Sequence, residues 1–217
     1  MIYFVSDLHL KHVGKNGGGI IEFERTNFNS IEEHDAFIKY VIFSTMKSTD
    51  ELWILGDIGA DYEWIKDVKG KKYLIMGNHD RGTKTAYRKV FDEVYDHPVW
   101  FSRRILLSHY PERVDSDVIN VHGHLHNSKL DLPNYINVNI QNLNYKLLSL
   151  KQVNNLMGSI AVDTLKYKFG SEWWIDRQVY DDSMPEKYKP PLKEDGKHVD
   201  GRKLRELRRE KENEQRN

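Results

Sequence analysis

Short apolar runs that stop abruptly on acidic, amide or imidazole side chains constrain this chain more than any other feature. Residues 2–6 run into Asp7, 51–55 into Gly56-Asp57, and 72–76 into Gly77-Asn78-His79-Asp80. Later runs meet Ser108-His109 and Gly123-His124-Leu125-His126. Runs of this length bounded by turn residues read as buried strands. In layered α/β folds, sites are built beyond the carboxyl ends of the strands. A chain that repeatedly places ligating side chains there is expected to fold around a polar centre on one sheet edge.

The intervening segments supply helices. Ser30 and Glu33 form a capping-box pattern, and Ile31, Phe37, Ile38, Val41, Ile42 and Met46 recur at helical spacing, which predicts a helix over 31–47. Shorter helices are expected near 62–68 and 84–91, and residues 11–29, with Gly14, Gly17, Gly18 and Gly19, read as a long mobile loop. Further strands are expected at 94–95, 99–101, 105–108, 118–122, 135–138 and 146–148, with Arg103-Arg104 as a hairpin turn. Ser149 and Gln152 then repeat the capping pattern before the apolar face Leu150, Val153, Leu156, Met157 and Ile160. Strands alternating with helices and then clustering indicate an α/β fold.

Composition narrows the chemistry. The chain has no cysteine and ten histidines. Disulfides, zinc–thiolate sites and cysteine nucleophiles are excluded, so a transition metal must be held by imidazole, carboxylate and amide groups. Lys and Arg balance Asp and Glu at 33 each, which argues against holding nucleic acid by bulk positive charge. No apolar run has membrane-spanning length and the first residues lack a signal pattern, so the expectation is a cytoplasmic protein with no membrane partner.

Each fragment alone is weak, because an isolated Asp-X-His or Gly-Asp arises often by chance. The ordered set is strong. Asp7 and His9, like His124 and His126, are two residues apart, which in an extended segment puts both side chains on one face. Mixed nitrogen and oxygen ligation suits Mn²⁺, Fe, Zn²⁺, Co²⁺ or Ni²⁺.

The five fragments in this order resemble the calcineurin-like metallophosphoesterases over about residues 1–156. Ser6-Asp7-Leu8-His9-Leu10-Lys11-His12, His109-Tyr110-Pro111 and the passage from Asn137 into a helix after Leu150 are similar to the small phosphoesterases of bacteria and their phages. The resemblance implies two packed mixed β-sheets flanked by helices, an αββα sandwich. It implies two divalent metal ions, Mn²⁺ first, with Mg²⁺ also possible. Asp7, His9 and His126 would hold the first ion, Asp57 would bridge, and Asn78, His109 and His124 would complete the second. A hydroxide shared by the ions would attack phosphorus, with His79 outside the metals facing the phosphate and Asp80 orienting His79. Among nearby cations, His12 and Arg81 are the candidate substrate contacts, with Lys11, Lys15 and Arg25 also in reach.

The implied activity is hydrolysis of a phosphodiester or nucleotide-like phosphate ester, with a nucleotide or nucleic acid as the partner. The alternatives are a phosphomonoesterase and a non-catalytic scaffold on the same fold. Protein phosphatases of this superfamily carry an Arg-Gly after their Gly-Asp motif. Here the stretch continues Ile58-Gly59-Ala60-Asp61-Tyr62, which disfavours a phosphoprotein substrate. Residues 157–200, with Trp173-Trp174 and several prolines, read as a helical extension, and 201–217 as a charged, solvated tail within bacterial or phage-infected cytoplasm.

Overall fold

Alternation along the first strands decides the layering. In β1 (Ile2–Val5), Tyr3 and Val5 face one apolar core while Phe4 faces another. In β2 (Glu51–Leu55), Leu52 and Ile54 join the first core, and Trp53 and Leu55 the second. A strand buried on both faces belongs in the middle of a sheet with cover on each side. The computed structural model, which describes residues 1–14, 19–128 and 130–158, has this arrangement.

With β3 (Lys71–Ile75), β4 (Glu93–Tyr95) and β9 (Leu148–Ser149), these strands form a five-stranded sheet ordered β4-β3-β2-β1-β9. Its first four strands are parallel and β9 is antiparallel to β1. A second sheet is ordered β5-β6-β7-β8, from Val99–Ser102, Ile105–Leu107, Ile119–His122 and Tyr135–Asn137. Only the β5–β6 hairpin in it is antiparallel, and Arg103-Arg104 forms its turn. Phe4, Trp53, Leu55 and Ile75 pack against Ile105, Leu107, Ile119 and Val121 between the sheets. This is the expected pair of mixed sheets.

Helix α2 (Ile31–Thr45) covers the other face of the first sheet through Phe37, Ile38, Val41 and Ile42. Ser30 Oγ accepts the Glu33 N–H at 3.1 Å, and Glu33 reaches back to the Asn29 N–H at 2.8 Å. The helix stops two residues short of expectation, where Met46 turns to extended backbone. Helix α4 (Leu150–Gly158) starts with the full Ser149–Gln152 box and sends Val153 into the inter-sheet core.

Three elements differ from expectation. The 11–29 loop contains a short helix, α1 (Ile20–Phe23), opened by the Glu22 carboxylate on the Gly19 N–H and anchored by buried Ile20. Residues Glu63–Asp67 wind as a 3₁₀ turn rather than an α-helix. The helix expected over 84–91 is only α3 (Lys84–Tyr87), because the next bonds, from Lys89 to Ala86 and Val90 to Tyr87, span three residues and tighten the chain toward β4. Lys15, nearly all of the extension expected over 157–200, including Trp173-Trp174, and the 201–217 tail lie outside the described residues.

Leu55 has no exposed surface and lies between the sheets one residue before the polar edge. Leu55→Ala is expected to lower unfolding free energy by about 2–5 kcal/mol. A urea titration followed by tryptophan fluorescence checks this.

Candidate metal centre

The candidate ligating side chains come from loops that continue the strand pairing past the strand ends. The Asp7, His9 and Leu10 N–H groups donate to Gly56, Asp57 and Ile58 carbonyls at 3.0, 2.9 and 3.0 Å. The loops after β1 and β2 are therefore zipped together. The segment is not extended, which corrects the same-face argument. Asp7, His9 and Lys11 have φ of 56°, 51° and 54°, Asp57 has 55°, and His124 and His126 have 67° and 46°. Left-handed conformations at alternate residues curl each loop so that the i and i+2 side chains converge. Asp and His tolerate this region better than branched residues do, at a cost of order 1–3 kcal/mol each.

The curled loops bring two groups of side chains together. Asp7, His9, Asp57 and His126 each offer one ligand atom, all within 4.8 Å of one another. His9 Nε2 lies 3.2 Å from His126 Nε2 and 3.7 Å from Asp57 Oδ2. Beside them, Asn78 Oδ1 is 2.9 Å from His109 Nε2 and 3.1 Å from His124 Nδ1. His109 Nε2 is 3.5 Å from Asp57 Oδ2, so this carboxylate oxygen stands between the groups. All seven residues named from the sequence as ligands thus meet at one edge.

Surrounding contacts aim the ligand atoms. His109 Nδ1–H donates to the Leu55 carbonyl at 2.9 Å, leaving Nε2 facing the centre. His126 Nδ1–H donates to the Glu24 carboxylate and leaves its Nε2 inward likewise. Asp7 Oδ2 accepts from Ser6 Oγ at 2.5 Å, and the His79 N–H donates to Asp57 Oδ1 at 2.8 Å. Asp57 Oδ2 is buried and has no hydrogen-bond partner among the described residues. A buried anionic oxygen left open between imidazole nitrogens fits a divalent cation.

The glycines before three of the ligands are sterically required. A Cβ on Gly77 would stand 2.3 Å from Asp57 Oδ1, and one on Gly123 would stand 2.6 Å from Asp7 Oδ2. The polar edge is packed too tightly for any side chain there.

The sequence matches the calcineurin-like phosphoesterase family over residues 1–212. The chain belongs to that family. Two curated relatives are Gene 66 proteins of mycobacteriophages. The one from phage L5 is 29% identical over 164 residues, covering 57% of this phosphoesterase and 76% of the phage protein. The one from phage D29 is 24% identical over 206 residues, covering 73% and 96%. A crystal structure of a protein of unknown function from Aquifex aeolicus is 27% identical, with a TM-score of 0.58 over 72% of this chain and 98% of that one. The family makes the phosphoesterase a metal-dependent hydrolase of phosphate esters, and the Asp/His cluster is where a metal fits.

The remaining sequence-named residues fall around the cluster. The His79 ring lies at the surface side of His9 and His12, with centroids 5.3 Å from each. His12 stacks on His9 at 4.9 Å. Arg81 is exposed just beyond. The expectation that Asp80 orients His79 gives way to another geometry. Its carboxylate accepts the Asp57, Gly77 and Ile58 N–H groups at 2.8, 2.8 and 2.9 Å, tying the β2 and β3 loops together. Arg25, offered as a phosphate contact, is completely buried and braces the backbone beneath Asp7. Glu24 was missed because a lone acid in an aperiodic loop carries no signal of its own. Tyr110 was read only as part of a motif. Its ring, 45% exposed, packs 4.4 Å from His124.

Burial, the first cause in each case, holds His9, His12, His34, His122 and His124 below the ordinary imidazole value of 6.5. An imidazole lowered in the fold contributes stability above its unfolded value and loses it as pH falls. Burial also raises Asp7, Asp35 to about 7, and Asp80 to about 6, which acts in the opposite sense. Five imidazoles therefore lose stability as pH falls through 6.5, against three carboxylates that act the other way. The metal-free phosphoesterase is therefore expected to melt lower at about pH 5.5 than at about pH 7.5. Thermal denaturation in EDTA checks this. Gly77→Ala is expected to weaken Mn²⁺ binding by about tenfold or more, read by direct metal titration.

Proposed function

We propose that this phosphoesterase hydrolyses phosphodiesters or nucleotide-like phosphate esters with two divalent cations, Mn²⁺ first among them. The observation that carries the reading is Asp57 Oδ2, buried and without a hydrogen-bond partner, 3.7 Å from His9 Nε2 and 3.5 Å from His109 Nε2. Asp7, His9 and His126 would hold one ion, and Asn78, His109 and His124 the other, with the Asp57 carboxylate between them. Held there, two such cations would supply an ionised water near neutral pH and would offset charge on the phosphoryl oxygens.

The chain's own groups do the rest. Asp80 fixes the turn that carries Asn78 and His79. His79, anchored through its backbone N–H to Asp57, serves as the proton donor to the leaving oxygen. His12, stacked beside His9, offers a ring N–H to a phosphoryl oxygen, and exposed Arg81 meets the substrate's charge. The exposed Tyr110 ring beside His124 gives an aromatic or nucleobase substituent a face to stack on, which supports a substrate with such a group. No helix among the described residues is long and apolar enough to cross a membrane, and the phage relatives fit work in bacterial or phage-infected cytoplasm.

Hydrolysis of bis-p-nitrophenyl phosphate and p-nitrophenyl phosphate, with Mn²⁺ or EDTA, tests the proposal. Mn²⁺-dependent diester cleavage is expected, reduced about a hundredfold or more in Asp57→Asn. Monoester turnover alone would replace it with a phosphomonoesterase. Mn²⁺ binding without turnover of either ester would replace it with a scaffold. His79→Ala is expected to slow esters with alkyl leaving groups by about 10²–10⁴ while sparing p-nitrophenyl esters. Equal loss on both would leave His79 an electrostatic role only.

A further inference from the structure

The residues beneath the ligand loop form a closed clamp that uses no motif residue's side chain. Arg25 Nη1 donates to the Leu8 carbonyl at 2.9 Å, and Nη2 donates to the Asp7 carbonyl. Nη1 also lies 2.7 Å from His34 Nε2. A guanidinium can only donate, so His34 Nε2 accepts and its proton sits on Nδ1. That Nδ1–H faces Asp35 Oδ1 at 2.8 Å. Asp35 Oδ2 closes the circuit by accepting the Lys11 N–H at 2.8 Å. The path leaves the ligand loop at residues 7 and 8, passes through three side chains, and returns at residue 11.

Within that span lie three of the left-handed residues, Asp7, His9 and Lys11. Each would relax to an ordinary conformation if released. Arg25 and His34 have no exposed surface and Asp35 only 6%, so the clamp is walled off from substrate. Its polarity is consistent along its length, from the buried cation through a neutral imidazole to the buried carboxylate. Lysine would not replace Arg25, because a single ammonium cannot span two carbonyls and an imidazole as a planar fork does.

We propose that Arg25, His34 and Asp35 are positioning residues that hold the 7–11 loop in its left-handed form and so set the affinity of the centre for its metal. This rests on reading the Asp/His cluster as a metal centre. The clamp acts through backbone groups, so its loss would shift Asp7 and His9 without removing a ligand.

The test compares the full chain with Arg25→Lys, Asp35→Asn, His34→Leu and His34→Gln. Mn²⁺ affinity is measured by calorimetric titration, and the coordination geometry by the visible spectrum of the Co²⁺-loaded protein. Thermal melting of the metal-free forms separates folding from positioning. The expected result is about tenfold or greater weakening of Mn²⁺ binding in Arg25→Lys and His34→Leu, with an altered Co²⁺ spectrum in folded protein. Asp35→Asn is expected to give a smaller loss. His34→Gln, whose amide oxygen can still accept from Arg25, is expected to recover part of the affinity. Variants that melt lower but bind Mn²⁺ as tightly as wild type, with an unchanged Co²⁺ spectrum, would overturn the inference and leave the metal reading standing. A wild-type chain that takes up no Mn²⁺ would overturn both.

Discussion

Two carboxylates, Asp7 and Asp57, are buried without exposure at the ends of adjacent parallel strands, and the rest of the centre answers to that burial. Ionised carboxylates in such a place are costly unless charge and hydrogen bonds meet them. Asp7 receives Ser6 Oγ and the His124 N–H, and Asp57 receives the His79 N–H. One oxygen of Asp57 receives nothing. Burial holds His9 and His124, beside these acids, below the ordinary imidazole value and so disfavours their charged form. A cation is the group that completes this arrangement.

The same edge shows how a rigid scaffold supports strained loops. Six candidate ligands or flanking residues take left-handed backbone as Asp, His and Lys, beside Gly56 with φ of 89°. Glycine is used instead where backbone and side chain come closest, at Gly56, Gly77 and Gly123, whose missing Cβ atoms leave room for His109, Asp57 and Asp7. The loops are held by strand-like bonds between residues 7–10 and 56–58, by Asp80 across the next pair of loops, and by Arg25 from below. The inter-sheet core offsets the strain. Phe4, Leu55 and Val121 are fully buried directly behind the edge.

The parts of this molecule that were legible in the sequence are those with a period or a terminator. Apolar runs closed by polar ligands located β1, β2 and β3 to within a residue, and Ser30 with Glu33 located the start of α2. The side chains that meet at this edge were legible because each sits at such a terminator. The conformation of the ligands was not, since i, i+2 spacing gives no sign of left-handed backbone at Asp7 and His9. Glu24 and Arg25 were also illegible in their roles. Each lies in an aperiodic loop and acts on residues distant in sequence, so an isolated charge there reads as surface. Arg25 shows the limit most clearly, because its fully buried position depends wholly on what the tertiary fold places over it.

The contact between His9 and His126 joins residues 117 positions apart, and β1 finds its outer neighbour only when Ser149 pairs with Tyr3. During synthesis, Asp7 and His9 leave the ribosome long before the residues that complete their surroundings. An emerging chain thus presents only a fraction of the Asp, Asn and His side chains that meet at this edge. Closure of this long circuit belongs to the joining of the two sheets, since its contacts have high sequence separation. The order in which the strands are strung along the chain therefore makes this edge depend on both sheets together rather than on either alone.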